Sequence, residues 1–225
     1  MFNSMQLTGR SATHVLAVAE LRCSVHRETV APLLALAAAA REDGIELAVV
    51  SSFRDFAHQA AIWNGKFLGK RALLDRNGHT LEHASLDESS LVEAILQWSA
   101  LPGASRHHWG TDVDVIDSGA LPAGYRPTLA AGEFAERGVF AKLDGWLTAN
   151  MARFGFFRPY SSDRGGVLQE PWHLSYAPLA VPALDALTLP VLAAAIDSSS
   201  LCGKELVLAR LAEIHARYVK AVDGP

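Results

Sequence analysis

The stretch Ser105-Arg106-His107-His108-Trp109-Gly110-Thr111-Asp112-Val113-Asp114 constrains the fold more than any other part of the chain. From Trp109 to Ile116 apolar and polar residues alternate, which predicts a strand. On that strand Asp112 and Asp114 share one face, directly downstream of two imidazoles. A second reactive segment, Ser51-Ser52-Phe53-Arg54 with Gln59 five residues after the arginine, follows an apolar run at 45–50 that reads as a buried strand. A third, Glu170-Pro171-Trp172-His173, opens a predicted strand at 171–176. All three flank strands, so a small sheet has to bring them together.

The elements between them are mixed. Val25, Thr29, Pro32, Leu33, Leu36 and Ala40 keep near-helical spacing and predict a helix over 24–43, capped by Gly44. A second helix is predicted over 55–63 and stopped by Asn64-Gly65. A charged, turn-rich stretch at 66–88 reads as a long surface loop. Ser90-x-x-Glu93 reads as a capping box opening a short helix, which Leu101-Pro102-Gly103 breaks. A helix over 139–153 and a strand from Phe156 precede the turn at Asp163-Arg164-Gly165-Gly166. No regular strand–helix–strand repeat emerges, which favours α+β over a doubly wound sheet. Walker, dinucleotide-binding and nucleophile-elbow signatures are missing. Residues 1–178 read as one catalytic domain, and the Ala/Leu-rich residues 179–225 as a helical appendage packed on it.

Composition excludes several functions. Twenty Lys+Arg against 24 Asp+Glu give a formal charge of −4, which argues against broad nucleic-acid binding. Two cysteines make no disulfide framework. No run reaches the ~18–20 apolar residues of a membrane span. The opening residues carry no basic segment followed by an apolar run, so the expected location is cytoplasmic, or periplasmic if a leader has been removed.

A catalytic zinc takes three imidazole or carboxylate ligands and keeps a fourth position open. His107, Asp114 and His173 supply that set, with Glu170 as the base. Strand parity opposes it, because odd spacing sends side chains to opposite faces. His107 and Asp114 converge only if His107 precedes the strand or the backbone bends at Gly110, and Pro171 is the corresponding bend between Glu170 and His173.

The three segments together resemble the zinc D-alanyl-D-alanine carboxypeptidases, the VanY-like peptidases. Their pattern reads Ser-x-His-x-x-Gly-x-x-x-Asp and then Glu-x-Trp-His, preceded by Ser-x-aromatic-Arg with a later Gln. Ser105, His107, Gly110, Asp114, Glu170, Trp172, His173, Arg54 and Gln59 fall on it in order, over about residues 45–178. The resemblance implies a small antiparallel sheet with helices on one side and zinc in a cleft on the other. It implies hydrolysis of the C-terminal D-alanine of peptidoglycan stem peptides, with Glu170 moving the proton and Arg54 stabilising the oxyanion or substrate carboxylate. Ser105 and Gln59 would orient the terminal carboxylate. Asp112 departs from the pattern, where alanine is common, and the 66–88 loop and the tail lie outside it.

For the remaining residues, His108 is expected to face outward or to sit behind the ligands. Trp172 is expected to pack against His173, and Trp109 to be cleft wall or core. Asp117, Arg106, Arg158 and Arg164 read as solvated. A DD-carboxypeptidase in the cytoplasm would destroy the pentapeptide precursor, so the expected reaction is LD-cleavage of tetrapeptides during cell-wall recycling. The alternatives are DD-cleavage, endopeptidase cleavage and a catalytically silent zinc-binding module for muropeptides.

Overall fold

A computed structural model describes residues 1–225. Strands β1 (Val15–Val18) and β2 (Cys23–His26) form an N-terminal hairpin. The main sheet holds β3 (Leu47–Ser51), β4 (Asp112–Asp117), β5 (Phe156–Phe157) and β6 (His173–Tyr176), antiparallel throughout in the order β3-β4-β6-β5. This is the α+β architecture expected. Helices are α1 (Ser4–Leu7), α2 (Val30–Glu42), α3 (Phe56–Phe67), α4 (Glu88–Trp98), α5 (Ala131–Phe134) and α6 (Ala141–Asn150), followed by α7 (Ala177–Ala186), α8 (Leu189–Asp197), α9 (Lys204–Ala209) and α10 (Leu211–Ile214). None is long and apolar enough by itself to cross a membrane.

The period of β4 divides its side chains as its sequence requires. Val113, Val115 and, from β6, Leu174 enter a core with Leu33, Leu36, Ile45, Phe140, Leu143 and Leu147. Asp112 and Asp114 fall on the other face, and they too are buried. Register then sets the polar row: Ser51 of β3 and His173 of β6 both pair with Asp114, and Ser175 pairs with Asp112.

Three local expectations are corrected. Residues 24–26, expected to be helical, belong to β2, because it pairs with β1 and His26 N donates to Gly110 O at 2.7 Å. Local helical spacing loses to these long-range bonds, and α2 begins only at Val30. Helix α3 runs through Asn64-Gly65 to Phe67, since the Asn64 amide is occupied by Ser200 O and Cys202 N of the C-terminal region. Helix α4 is capped by Asp87, which accepts from Ser90 N at 2.8 Å, so Ser90 lies inside the helix. Glu93 instead accepts from Tyr218 Oη at 2.6 Å.

Two apolar cores result. The second joins Trp63, Val92, Ile95 and Leu96 of α3 and α4 to Ala180, Leu192, Ile196, Val207 and Ile214 of the tail. Residues 179–225 therefore complete a core shared with the helices that border the site. Both cysteines are free, and burial raises the Cys23 thiol to about 11.

Candidate metal centre

His107 lies in a 3₁₀ turn, Arg106–Trp109, ahead of β4. Gly110 ends that turn in the left-handed region at φ 67°, where an added Cβ would stand 2.7 Å from His26 N. Only glycine combines that φ with so close a backbone approach. The bend swings His107 over the face that carries Asp114. At the other strand Pro171 follows Glu170, whose carbonyl accepts from His173 N at 3.1 Å, and β6 starts at His173. Both parity conflicts are thus relieved by chain bends just outside the strands.

His107, Asp114 and His173, all buried, hold their ligand-capable atoms within 4.8 Å of one another. His107 Nε2 is 3.4 Å from Asp114 Oδ2, and His173 Nδ1 is 3.1 Å from Asp114 Oδ1 and 3.2 Å from Glu170 Oε2. His107 Nδ1 and Asp114 Oδ1 are buried with no properly directed hydrogen-bond partner. Two imidazoles and one carboxylate whose ligand-capable atoms converge match the donor set of a catalytic zinc site.

The electrostatics agree. Burial acts to neutralise the His173 ring, but the neighbouring carboxylates of Asp112, Asp114 and Glu170 outweigh it and raise its pKa well above the usual histidine value. For Asp114, burial is likewise overcome, by His107 and His173, and its carboxyl is held well below the ordinary range. Such a carboxylate-rich pocket favours a bound cation.

Arg54 and Ser105 line the same cleft, of about 270 Å³, together with Glu170, Tyr160, Trp172 and Lys66. Arg54 Nη1 donates to Gln59 Oε1 at 2.8 Å and Nη2 to Ser51 Oγ at 2.9 Å. Gln59 is fully buried, and its Nε2 donates to Ala100 O at 2.7 Å. With both amide ends engaged it does not line the cleft, so the expected substrate contact is replaced by a brace behind Arg54. Of the two placements expected for His108, the outward one is excluded: it is fully buried, behind Arg54. Its Nδ1 meets Arg54 O at 2.5 Å and its Nε2 accepts from Gly103 N at 3.0 Å, which defines the neutral Nδ1–H tautomer. Burial lowers its pKa to about 4, in keeping with that role. Trp109 is core, its Nε1 donating to Leu7 O at 3.1 Å.

Arg106 is not solvated. It is buried, with Nε donating to Asp112 Oδ1 at 2.8 Å and Nη2 to Ser175 Oγ at 2.5 Å. Asp112 also faces His173 Nε2 at 3.0 Å, which directs His173 Nδ1 toward Asp114. Asp117 is buried too, accepting from Glu46 N and Gly119 N, and Arg158 pairs with Asp144 at 2.9 Å. Of the four expected solvated charges, Arg164 alone is largely exposed, although it pairs with Asp223 at 2.6 Å. Strand alternation does not foresee the Arg106–Asp112 pairing, because the 3₁₀ turn folds Arg106 back onto β4, six residues before its partner. Tyr160, whose ring is 5.1 Å from that of His173, lies too far along the chain from any motif to be picked out.

The family model for VanY, D-alanyl-D-alanine carboxypeptidase, matches residues 22–179. The chain belongs to the VanY family. An uncharacterized protein of Haemophilus influenzae is 34% identical over 121 residues, covering 53% of this chain and 92% of that one. A D-alanyl-D-alanine carboxypeptidase of Enterococcus faecalis is 31% identical over 141 residues, covering 61% of this chain but 42% of that one. Among solved structures, a vancomycin-resistance D,D-pentapeptidase VanY variant in complex with Zn(II) superposes with TM-score 0.51 at 24% identity, covering 88% of this chain and 92% of its own. The LD-carboxypeptidase LdcB gives TM-score 0.51 at 21% identity, covering 78% and 75%. At these identities the superpositions establish the VanY fold, and the family match establishes the peptidase class.

Proposed function

We propose that this VanY-family chain is a zinc-dependent carboxypeptidase that releases the C-terminal D-alanine of peptidoglycan stem peptides. The observation that carries the reading is the convergence of His107, Asp114 and His173 on one point, with Glu170 and Arg54 on the same cleft. Those three side chains would hold the zinc, which supplies Lewis acidity toward a carbonyl and toward water. Glu170, free of the ligand set but adjacent to it, accepts the proton of the attacking water and returns it to the departing amine. Arg54 is braced so that its guanidinium faces the cleft, where it stabilises the charge developing on the carbonyl oxygen or binds the substrate carboxylate. Ser105 offers a hydroxyl to the same substrate end.

The preferred substrate is the tetrapeptide, cut between an L-centre and the final D-alanine. The reason is cellular: for an enzyme working in the cytoplasm, cleavage of pentapeptide precursors would be self-defeating. Incubating the zinc-loaded protein with defined tetra- and pentapeptides, with and without chelator, tests both levels. D-Alanine release that chelator abolishes supports the enzyme, and release from pentapeptide alone ends the LD preference. Zinc binding without release from either peptide would leave a binding module.

Gln59→Ala is expected to lower kcat/KM on the order of 10²-fold by letting Arg54 drift, since misplacement by about 1 Å carries that penalty. In an Arg54→Ala background the same change is expected to add little, because the two act as one unit. A double-mutant cycle in D-alanine release reads the coupling.

A further inference from the structure

The cleft holds a cation that the proposed chemistry does not use. Lys66 lies on α3 seven residues beyond Gln59, on the same side of the helix, and it lines the cleft with Leu74, Trp98, Ser99 and Ala100. Its Nζ donates to Ser99 Oγ at 2.8 Å, and it forms no ion pair with any carboxylate. The acidic groups of the cleft gather around His173, and Arg54 feels Asp114 and Glu170. Lys66 instead feels only another cation, Arg71, so burial and that repulsion bring its ammonium down to about 8. It remains mostly protonated at neutral pH. A largely buried ammonium with a single neutral hydroxyl partner is under-solvated, and an arriving anion offsets that cost.

This end of the cleft is bordered by α4 and by the segment after α3. The segment that follows α3 lies beside it, with Leu73 buried and Trp98 Nε1 donating to Asp75 O at 3.1 Å. Ser99 and Ala100 tie it to the Arg54 assembly, because Ala100 O anchors Gln59.

We propose that Lys66, steadied by Ser99, is a second carboxylate-binding element of the cleft, taking a substrate carboxylate that Arg54 does not. This rests on the peptidase reading and narrows it to peptides that present an anion beside Lys66 and Ser99. Two groups carry the required chemistry: the α-carboxylate of the residue to be released, and a side-chain carboxylate on the residue before the scissile bond, as in a diaminodicarboxylic acid.

The test uses the zinc-loaded full chain, Lys66→Met and Lys66→Arg, and three stem peptides. These end in L-lysyl-D-alanine, in meso-diaminopimelyl-D-alanine, and in L-lysyl-D-alanine amide. Kinetics of release of the C-terminal residue are paired with calorimetric binding of the same peptides in a Glu170→Ala background. Lys66→Met is expected to raise KM and weaken binding about tenfold or more with kcat changed little, the loss of one charge-assisted contact. Lys66→Arg recovers most of it, which excludes misfolding as the cause. If the α-carboxylate is the partner, both free acids are affected alike and the amide is not. If the side-chain carboxylate is the partner, only the diaminopimelyl peptide is affected. Unchanged KM and binding for all three peptides overturn the role of Lys66 while leaving the hydrolytic reading intact. Lys66-dependent binding with no turnover by the wild-type chain sinks the hydrolytic reading alone, and no binding of any peptide sinks both.

Discussion

Glu170→Ala is expected to keep zinc at near wild-type affinity while reducing kcat for D-alanine release by about 10²–10⁴-fold. The side chain is outside the convergent trio of His107, Asp114 and His173, so removing it leaves three ligands in place. Its position is nonetheless fixed by the chain. Glu170 N donates to Tyr160 O at 3.0 Å, its carbonyl accepts from His173 N, and its Oε2 stands 3.2 Å from His173 Nδ1. A carboxylate held there is partly open to the cleft and can exchange a proton with water, which a buried ligand cannot do. Glu170→Gln keeps shape and hydrogen bonding but cannot accept the proton, and it is expected to lose nearly as much. Metal content by mass spectrometry together with turnover checks the split. Near-normal turnover in either variant would remove Glu170 as the base.

Asp112→Ala is expected to destabilise the fold by about 3–5 kcal/mol and to weaken zinc binding by about 10–100-fold. Asp112 is fully buried and takes hydrogen bonds from Arg106 Nε, His173 Nε2 and Thr111 Oγ1 at 2.8, 3.0 and 2.5 Å. Burial alone would raise its carboxyl, but Arg106 first and His173 second hold it well below the usual range. Without it the Arg106 guanidinium is left in the core beside Trp109 and Phe157, where Nη1 already has no partner. An unpaired buried charge is among the costliest single defects. For a chain of this size the penalty corresponds to a fall in Tm of roughly 6–20 °C. The double variant Arg106→Met/Asp112→Ala is expected to regain much of the stability, because it removes both charges. It is not expected to regain zinc affinity, since His173 Nε2–H still lacks its acceptor. Thermal unfolding and competition with a chromogenic chelator separate the two effects. Wild-type stability and affinity in Asp112→Ala would contradict both.

Zinc affinity and stability therefore share a residue at the position where the family pattern commonly has alanine. In this chain an arginine two residues after position 104 and an aspartate at 112 occur together, and the structure joins them. The sheet floor under the site is thus an ionic layer, and the orientation of one candidate ligand is tied to that layer.

What the sequence determined by itself was the chemistry of the site and the class of the fold. Side-chain type is a local property, and so are the strand period of β4 and the bends that parity requires at Gly110 and Pro171. Those, together with the family resemblance, pointed to His107, Asp114, His173 and Glu170 around one ion, provided the chain bends, and favoured α+β. Tertiary structure decided everything that depends on which strands and helices become neighbours. The turn at Arg106–Trp109, folded back on β4 and buried against Ser175 of β6, turned Arg106 from an expected surface charge into the partner of Asp112. Pairing with β1 made 23–26 a strand, and docking of the C-terminal region carried α3 past Asn64-Gly65 to Lys66. Burial closed both amide ends of Gln59 and so made it a brace for Arg54. The physical reason is common to all of these. The partners are distant in the chain or, like Arg54–Gln59 and Arg106–Asp112, only five or six residues apart. Either way the contact forms in a buried setting that exists only once the apolar faces have packed, and a one-dimensional pattern carries no record of that setting.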